Sequence, residues 1–503
     1  MLLLAVLAAS PHAHAADVGA VATTLAAFDT AQDRPGEDQF ELHSRFRLFT
    51  DGVTGKGTPS EGKWFIEARA EHHLLSGLDV EAWYEPSLGE TGWEGGLGGP
   101  FRLSVGQRIE RWGKLDFLPV ADVLNPRDLR SGPLTPQEWQ RLPIPMATLE
   151  IGSDPTKDVS VRSQTTWIPF ATHDLLWMRG TDWSYIRNGM VGPEAERISS
   201  FEGETSQLLG DLIRGAGQQI DGLDPSQRRA LDQAIGDKNL PQALAYNSEF
   251  AQRFELDAPG FDAALMVAWM RNRQPLTELD PVLADVIRSR ELPDVEEIAL
   301  LQRAVAGGPL DVSYPRTAFA GAEFGTLVGP IGVRAEGGYW SAKTARLWWG
   351  QAITLPTVAG GLGLDYVRGT SLQVSAEARY EQRILPEEGL APFRPNPTTS
   401  TDMLLLTAEK DLQLAGGFRY SFAQDRFRLQ LGGSYSVAFA EWTAMPTFEW
   451  RPTSHWRASV GAVLIDGPWE APPGMQRALI YEGGPGSYYG QNDMVTVGLT
   501  WVW

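Results

Sequence analysis

The chain has 503 residues, no cysteine and a formal net charge of −20. The absence of cysteine excludes disulfides and thiolate metal sites, and the negative charge argues against nucleic acid as a partner. Although 43% of the residues are hydrophobic, no run of 18 apolar residues follows the N-terminal stretch, so the sequence predicts no transmembrane helix.

A short leader is predicted at the N-terminus. Residues 2–9 are apolar, and Ala13-His14-Ala15 places small residues around one position, as signal peptidase prefers. We therefore expect a signal peptide at residues 1–15. Residues 16–38 are expected to form a periplasmic N-terminal segment that precedes the folded domain.

Long segments with a two-residue alternation fill most of the remaining chain. In the last of them, Val495 and Val497 share one parity while Thr496 and Thr500 share the other. A strand points successive side chains to opposite faces, so each segment has an apolar face and a polar face. The segments are about 10 residues or longer and tight turns join them, which is typical of strands that cross a bilayer. The fold predicted for residues 39–503 is an all-β, transmembrane, up-and-down antiparallel β-barrel.

The number of strands must be even if both ends of the chain lie in the periplasm. The alternation identifies an odd number of segments, 17, whereas the total must be even. The barrel is therefore expected to have 16 or 18 strands. Either one of these segments is not a strand, or one strand is missed, and the place expected for it is within residues 175–186.

Two long excursions interrupt the alternation. Residues 189–247 and 274–312 have helical periodicity, and Asp-Pro pairs mark predicted helix starts. Because the long loops of bacterial barrels face outward, we expect two helical extracellular inserts. Both interpretations of their role stay open, namely passive surface loops and elements that cover or plug the barrel.

The segment from residue 112 to residue 145 is rich in proline and has no alternation. Irregular backbone cannot face lipid because its amide groups would lack partners, so this segment is expected to fold inward and narrow the lumen. The polar side chains expected to tie it to the barrel wall are Asp116, Asp122, Asn125, Arg127 and Asp128.

The inward parity of the predicted strands carries nearly equal numbers of arginines and carboxylates. Such a wall serves either to brace the barrel or to line a polar substrate path, and the sequence leaves both open. The candidate wall residues are Arg45, Arg69, Arg102, Arg108, Glu110, Arg334, Glu336, Glu377, Arg379, Arg419, Arg428 and Arg457.

Three motifs carry a family resemblance: G-Q-R-I-E-R-W-G-K-L-D at residues 106–116, D-V-L-N-P-R-D at 122–128 and R-L-P-I-P-M at 141–146. The series resembles an uncharacterised proteobacterial family of outer-membrane β-barrels, a domain of unknown function often associated with exporters. The resemblance implies location in the Gram-negative outer membrane among its lipids and lipopolysaccharide. It also implies transport of a hydrophobic or amphipathic small molecule, with an inner-membrane exporter as an expected partner. The final strand ends on an aromatic, as do strands that the barrel-assembly machinery recognises.

The predicted function is a channel or transporter for such a molecule, without a cofactor or metal. One alternative is a surface barrel that binds or supports without transporting. The other is a lipid or peptide hydrolase that uses His43, which has inward parity. The sequence contains neither G-x-S-x-G nor H-E-x-x-H, so we expect no enzyme and no catalytic residue.

Overall fold

The computed structural model describes twelve stretches of the chain and within them one large β-sheet. These stretches are residues 17–30, 40–55, 61–76, 80–135, 137–152, 158–175, 247–274, 276–279, 310–346, 352–385, 408–467 and 493–503.

In the described stretches the regular structure consists mainly of eighteen long strands and one short pair. The first nine strands are β1 (Asp17–Asp29), β2 (Phe40–Thr54), β3 (Gly62–Ser76), β4 (Val80–Gly98), β5 (Phe101–Arg108), β6 (Ile144–Gly152), β7 (Ser160–Ile168), β8 (Glu249–Ala258) and β9 (Phe261–Arg271). The short pair is β10 (Leu276–Leu279) and β11 (Leu310–Ser313). The last nine are β12 (Arg316–Val328), β13 (Ile331–Arg346), β14 (Ala352–Arg368), β15 (Leu372–Arg383), β16 (Lys410–Phe422), β17 (Phe427–Ser436), β18 (Glu441–Trp450), β19 (Trp456–Asp466) and β20 (Met494–Val502). A single 3-10 turn (Gly132–Leu134) and a single helical turn, α1 (Gln137–Gln140), lie between β5 and β6.

The sheet closes on itself. Each long strand pairs antiparallel with the next long strand along the chain, and β9 pairs with β12. The first strand, β1, then pairs with the last, β20, along nine residues from Val21 to Asp29. The fold is therefore an 18-stranded, up-and-down antiparallel barrel, and the prediction of 16 or 18 strands is resolved as 18.

The outer face of the barrel is apolar. In β20, Val497 and Leu499 are 50% and 49% exposed and point outward, whereas Gly498 between them is buried against the interior. The same alternation exposes Phe254 on β8 and Leu362 on β14. Burying such a surface in water-free surroundings is favourable, so the outer face is stable against lipid.

The two ends of the barrel differ. At one end the turns are short, as at Gly260 and Gly329, whose positive φ values of 89° and 61° fit a tight reversal that favours glycine. The other end carries every long connection, including the one between β5 and β6. We call these the short-turn end and the long-loop end.

The predicted N-terminal segment at residues 16–38 is wrong over most of its length, because residues 17–29 form β1. Sequence alternation misses this strand because its inner face is apolar. Leu25 and Ala27 pack in a buried cluster with Leu134 and with Val463 and Ile465 of β19. The strand that the alternation misses is thus β1; of residues 175–186, where it was expected, all but Leu175 lie outside the described residues.

Other predicted segments are tested only at their edges. The signal peptide at residues 1–15 lies outside the described residues, as does the insert at 189–247 apart from Asn247. In the insert at 274–312, the ends form the paired strands β10 and β11, so the helical prediction is wrong there. Residues 280–309 between them are outside the described part of the chain. Among the described residues, no helix is long and apolar enough to cross a membrane.

We predict that Thr24→Pro prevents barrel closure, because Thr24 lies in the middle of β1 between Ser44 of β2 and Leu499 of β20. Proline has no N–H, so in a central strand it removes a ladder hydrogen bond and weakens the pairing that closes the barrel. The measurement is the fraction of protein that refolds in detergent to a protease-resistant barrel. Thr24→Val is the control, since valine keeps the backbone donor; equal refolding of the two variants would place residues 17–29 outside the barrel.

Candidate functional site

The connection between β5 and β6, residues 109–143, lies against the inner wall of the barrel. We call it the inner segment; it begins and ends slightly earlier than the predicted 112–145. Its apolar side chains Trp112, Val120 and Leu124 are buried in one cluster with inward-facing residues of the wall, among them Phe319 and Trp340. Burial of this apolar area holds the segment on the wall formed by β6 to β14.

A wall glutamate, Glu336 of β13, accepts four backbone hydrogen bonds from the inner segment. Its Oε1 accepts the N–H of Leu115 at 2.5 Å and that of Lys114. Its Oε2 accepts the N–H groups of Val120 and Ala121 at 2.7 and 2.9 Å. The described residues place no cation within ion-pair distance of Glu336, so these four N–H dipoles stabilise its charge.

Two more wall glutamates complete the set of acceptors. Glu377 of β15 accepts the N–H groups of Asp116, Phe117 and Leu118 at 2.8, 2.9 and 2.8 Å. The N–H of Gly113 donates to Glu323 of β12 at 2.8 Å. Every backbone N–H from residue 113 to residue 121 therefore donates to one of three carboxylates.

Two residues of this stretch fit the arrangement through their backbone. Pro119 is the one residue without an N–H, and it stands where no donor is needed. Gly113 has φ of +90°, and a Cβ there would lie 2.7 Å from Oε1 of Glu336. Only glycine allows the chain to approach this carboxylate so closely without strain.

Arg334 of β13 links the carboxylates and the segment. Its guanidinium bonds Oδ2 of Asp116 at 2.7 Å and Oε1 of Glu377 at 3.2 Å. It also pairs with Asp365 of β14 at 2.6 Å and donates to the carbonyl of Lys114. Arg334 thus offsets the negative charge that the wall needs to hold the segment.

The prediction that five polar side chains tie the segment to wall side chains is wrong for most of them. Among the described residues, Asp116 alone of the five bonds a wall side chain, that of Arg334; Asp122 pairs with Arg141 at 2.6 Å inside the segment. Asn125 joins the two ends of the segment, since its Nδ2 donates to the carbonyls of Arg108 and Leu142. The reason is that an irregular backbone presents more unpaired N–H groups than it carries polar side chains, and the wall carboxylates satisfy the N–H groups first.

The remaining two predicted side chains, Arg127 and Asp128, also bond mainly within the polar network at the long-loop end. Asp128 pairs with Arg130 at 2.7 Å, and Arg130 then reaches Glu85 of β4 at 2.7 Å. The N–H of Arg127 donates to Asp174 at 2.8 Å. Burial raises the pKa of the Asp174 carboxyl above its ordinary value, although this hydrogen bond and the nearby guanidinium groups favour its charged form.

The predicted wall residues fall into two groups. Those in contact with the segment or with wall carboxylates form ion pairs or hydrogen bonds, which fits bracing. Their partners are Glu71 for Arg45, Glu67 for Arg69, Glu94 for Arg108, Gln164 for Glu110 and Glu381 for Arg379. Arg102 lies opposite Glu150. Arg419, Arg428 and Arg457 lie on β16, β17 and β19, away from these partners.

Two functional residues, one on the wall and one on the inner segment, were missed by sequence reasoning. Glu323 and Trp139 were not singled out, yet Glu323 binds the segment and the Trp139 ring lies 4.9 Å from the Arg69 guanidinium. The register places Glu323 directly opposite Glu336 on the inner face. Two carboxylates directly opposite each other repel unless hydrogen-bond donors lie near them. This pair is therefore a sequence signal that a backbone segment with free N–H groups lies against it.

His43 is not positioned to activate a hydroxyl group. Its ring is 2% exposed, with Nδ1 at 2.9 Å from Nδ1 of His73 and Nε2 at 2.7 Å from Glu41. Both ring nitrogens are engaged, so neither faces a serine hydroxyl. This geometry gives no support to a hydrolase that uses His43.

Two cavities lie beside the inner segment toward the long-loop end. One, of about 380 Å³, is lined by Val123, Arg127, Arg273, Lys343 and Arg379 among others. The other, of about 210 Å³, is bordered by Leu118 on the segment and by Gln413, Ser434 and Thr443 on the wall. The second cavity leads to the part of the wall that the apolar cluster of the segment does not cover.

Comparison with known proteins finds similarity of structure alone. No protein-family model and no curated protein matches the sequence. Among solved structures, Salmonella typhi OmpF in complex with daunomycin has a TM-score of 0.40 at 9% identity, over 97% of each chain. Pseudomonas aeruginosa OccK7 (OpdD) has a TM-score of 0.44 at 7% identity, over 97% of this chain and 98% of that one. P. aeruginosa OccK5 (OpdH) has 0.41 at 9%, with the same coverage.

We predict that Glu336→Ala releases the middle of the inner segment. A hydrogen bond to a charged acceptor contributes about 1.5–3 kcal/mol, and several are lost together, so exchange of these amides accelerates about a hundredfold or more. Hydrogen exchange of the Leu115, Val120 and Ala121 amides measures this. Glu255→Ala is the matched control, because Glu255 is an inward carboxylate of β8 that pairs with Arg162 at 3.1 Å. Unchanged protection in the Glu336 variant would contradict this role of the carboxylate.

Proposed function

We propose that this protein is a channel of the Gram-negative outer membrane whose lumen is narrowed by the inner segment. The observation that carries the proposal is the hydrogen bonding of residues 113–121. Each of their eight backbone N–H groups donates to a wall carboxylate, and Pro119 has no N–H. A barrel of 18 strands encloses a lumen wide enough for an aqueous path, and a segment fixed inside it sets the width of that path.

The apolar outer face supports location in a membrane. On this proposal the long-loop end faces outward and the short-turn end faces the periplasm, as in bacterial barrels generally. The outer-membrane lipids and lipopolysaccharide would surround the apolar face. Recognition of β20 by the barrel-assembly machinery, and association with an inner-membrane exporter, belong to the same proposal.

An amphipathic small molecule fits the chemistry beside the segment. Phe117 is 42% exposed, and the tip of its ring lies where a Cβ on Gly417 of β16 would be. Between this contact and the long-loop end, the wall presents polar groups such as Gln413 and Ser434. A solute that passes here meets an aromatic surface on the segment and hydrogen-bonding groups on the wall.

Replacing residues 115–140 by a short glycine–serine linker tests the narrowing. We expect single-channel conductance in planar bilayers to increase about twofold or more, because the path widens toward the full lumen of the barrel. Far-UV circular dichroism verifies that the barrel has folded. Unchanged conductance would refute the narrowing, and the absence of current from both proteins would instead favour a surface barrel that does not transport.

A single substitution provides a milder test of the same path. Phe117→Ala removes the exposed ring and is expected to increase conductance by a fraction of the effect of the deletion. Phe254→Ala is the matched control, since Phe254 is 52% exposed on the outer face. Equal conductance of the two variants would show that the Phe117 ring does not border the path.

A further inference from the structure

The charges of the inner wall are segregated. Glu323 of β12, Glu336 of β13 and Glu377 of β15 accept hydrogen bonds from the inner segment, whereas Glu381 of β15 pairs with Lys343, Arg379 and Arg383. The inner segment also contacts the wall from β16 to β20, through Phe117 on Gly417 and through Leu134 near the long-loop end. At mid-height the inward positions of this wall are small or uncharged. These positions are Ala415, Gly417, Gln430, Gly432, Thr447, Ser459, Gly461, Thr496 and Gly498.

Toward the short-turn end this same wall carries four guanidinium groups. Arg419, Arg428 and Arg457 have inward parity on β16, β17 and β19, and Arg451 directly follows β18. We call these four residues the arginine cluster. The register brings Arg428 opposite Glu449 of β18, and these strands are consecutive in the sheet, so the four side chains share one patch of wall.

Among the described residues, a single carboxylate, that of Glu449, pairs with members of the arginine cluster. Glu449 pairs with Arg451, and its Oε1 is 3.9 Å from Nη1 of Arg428. Within the described part of the chain, neither Arg419 nor Arg457 has an ion-pair or hydrogen-bond partner. The arginines that brace the wall elsewhere are paired, as Arg162 is with Glu255 and Asp257, so bracing does not account for this patch.

We propose that the arginine cluster binds the anionic group of the solute that the channel carries, and that the solute is a small organic anion. This inference rests on the proposed channel and specifies its substrate class. Guanidinium groups bind carboxylate, sulfonate and phosphate oxygens with paired hydrogen bonds, and an excess of positive charge raises the local concentration of anions. An aromatic side chain on the segment and cations on the wall together match an anion with an apolar body.

The binding test uses benzoate as the probe and benzamide as its neutral counterpart, with full-length protein in detergent. Saturation-transfer NMR titration is expected to show that benzoate binds more tightly than benzamide. The double variant Arg428→Gln/Arg457→Gln is expected to weaken benzoate binding by about tenfold or more, because charge-assisted hydrogen bonds are lost. Arg162→Gln is the matched control, since it removes a paired inward arginine near the same end of the barrel, and it should bind benzoate as the native protein does.

Reversal potentials in a KCl gradient provide the second measurement. The native channel is expected to favour chloride over potassium, and the double variant should decrease this ratio about twofold or more while Arg162→Gln leaves it unchanged. A channel that conducts without anion preference, or whose preference survives the double substitution, would overturn the inference and leave the proposed channel intact. If no current is observed, the proposed channel is wrong, but benzoate binding still tests the anion site. Equal benzoate binding by the native protein and the double variant would then overturn the anion site.

Discussion

The structure depends on one constraint, which is that backbone N–H groups enclosed in a membrane barrel need acceptors. The inner segment has no strand partner between residues 113 and 121, so its donors cannot be satisfied by a sheet. Glu323, Glu336 and Glu377 supply the acceptors from three different strands. Because each carboxylate has two oxygens and a full charge, a few side chains replace a whole ladder of backbone hydrogen bonds.

This use of carboxylates explains how the lumen becomes asymmetric. Counted along the chain, inward arginines and acids nearly balance, and such a wall has no preferred ion. The inner segment changes this charge balance locally. Its neutral N–H groups bind Glu336 and Glu377, so fewer wall carboxylates remain to pair with the other inward arginines. On β16 and β19, Arg419 and Arg457 have no carboxylate partner within the part of the chain that the structure describes. The field in the lumen is thus set by where the segment lies as well as by composition.

Dyad alternation was sufficient to predict the barrel but not its first strand. An inward face made of Leu25 and Ala27 contradicts the expectation of polar inside and apolar outside, because the segment brings Leu134 to cover it. The prolines predicted that the chain leaves the wall at residues 112–145; the structure shows this for residues 109–143, while Ile144 and Pro145 belong to β6. The acceptors of the inner segment could not be predicted, because alternation tells which face Glu336 occupies but not which distant backbone lies against it. The two insert interiors lie outside the described residues and their predicted helices stay predictions.

The contacts of Leu115 show that the segment is part of the wall and is more than a loop resting on it. Its side chain occupies the space that Cβ atoms on Gly361 and Gly363 of β14 would fill. Its N–H donates to Glu336, so the same residue is held through both its side chain and its backbone. A larger residue at Gly361 would push the segment away from the glutamates, and a missing glutamate would leave the donors unpaired in a closed space. Packing and hydrogen bonding of the segment therefore depend on each other. Because both hold the segment on the wall, the barrel itself fixes the width of the lumen beside the segment.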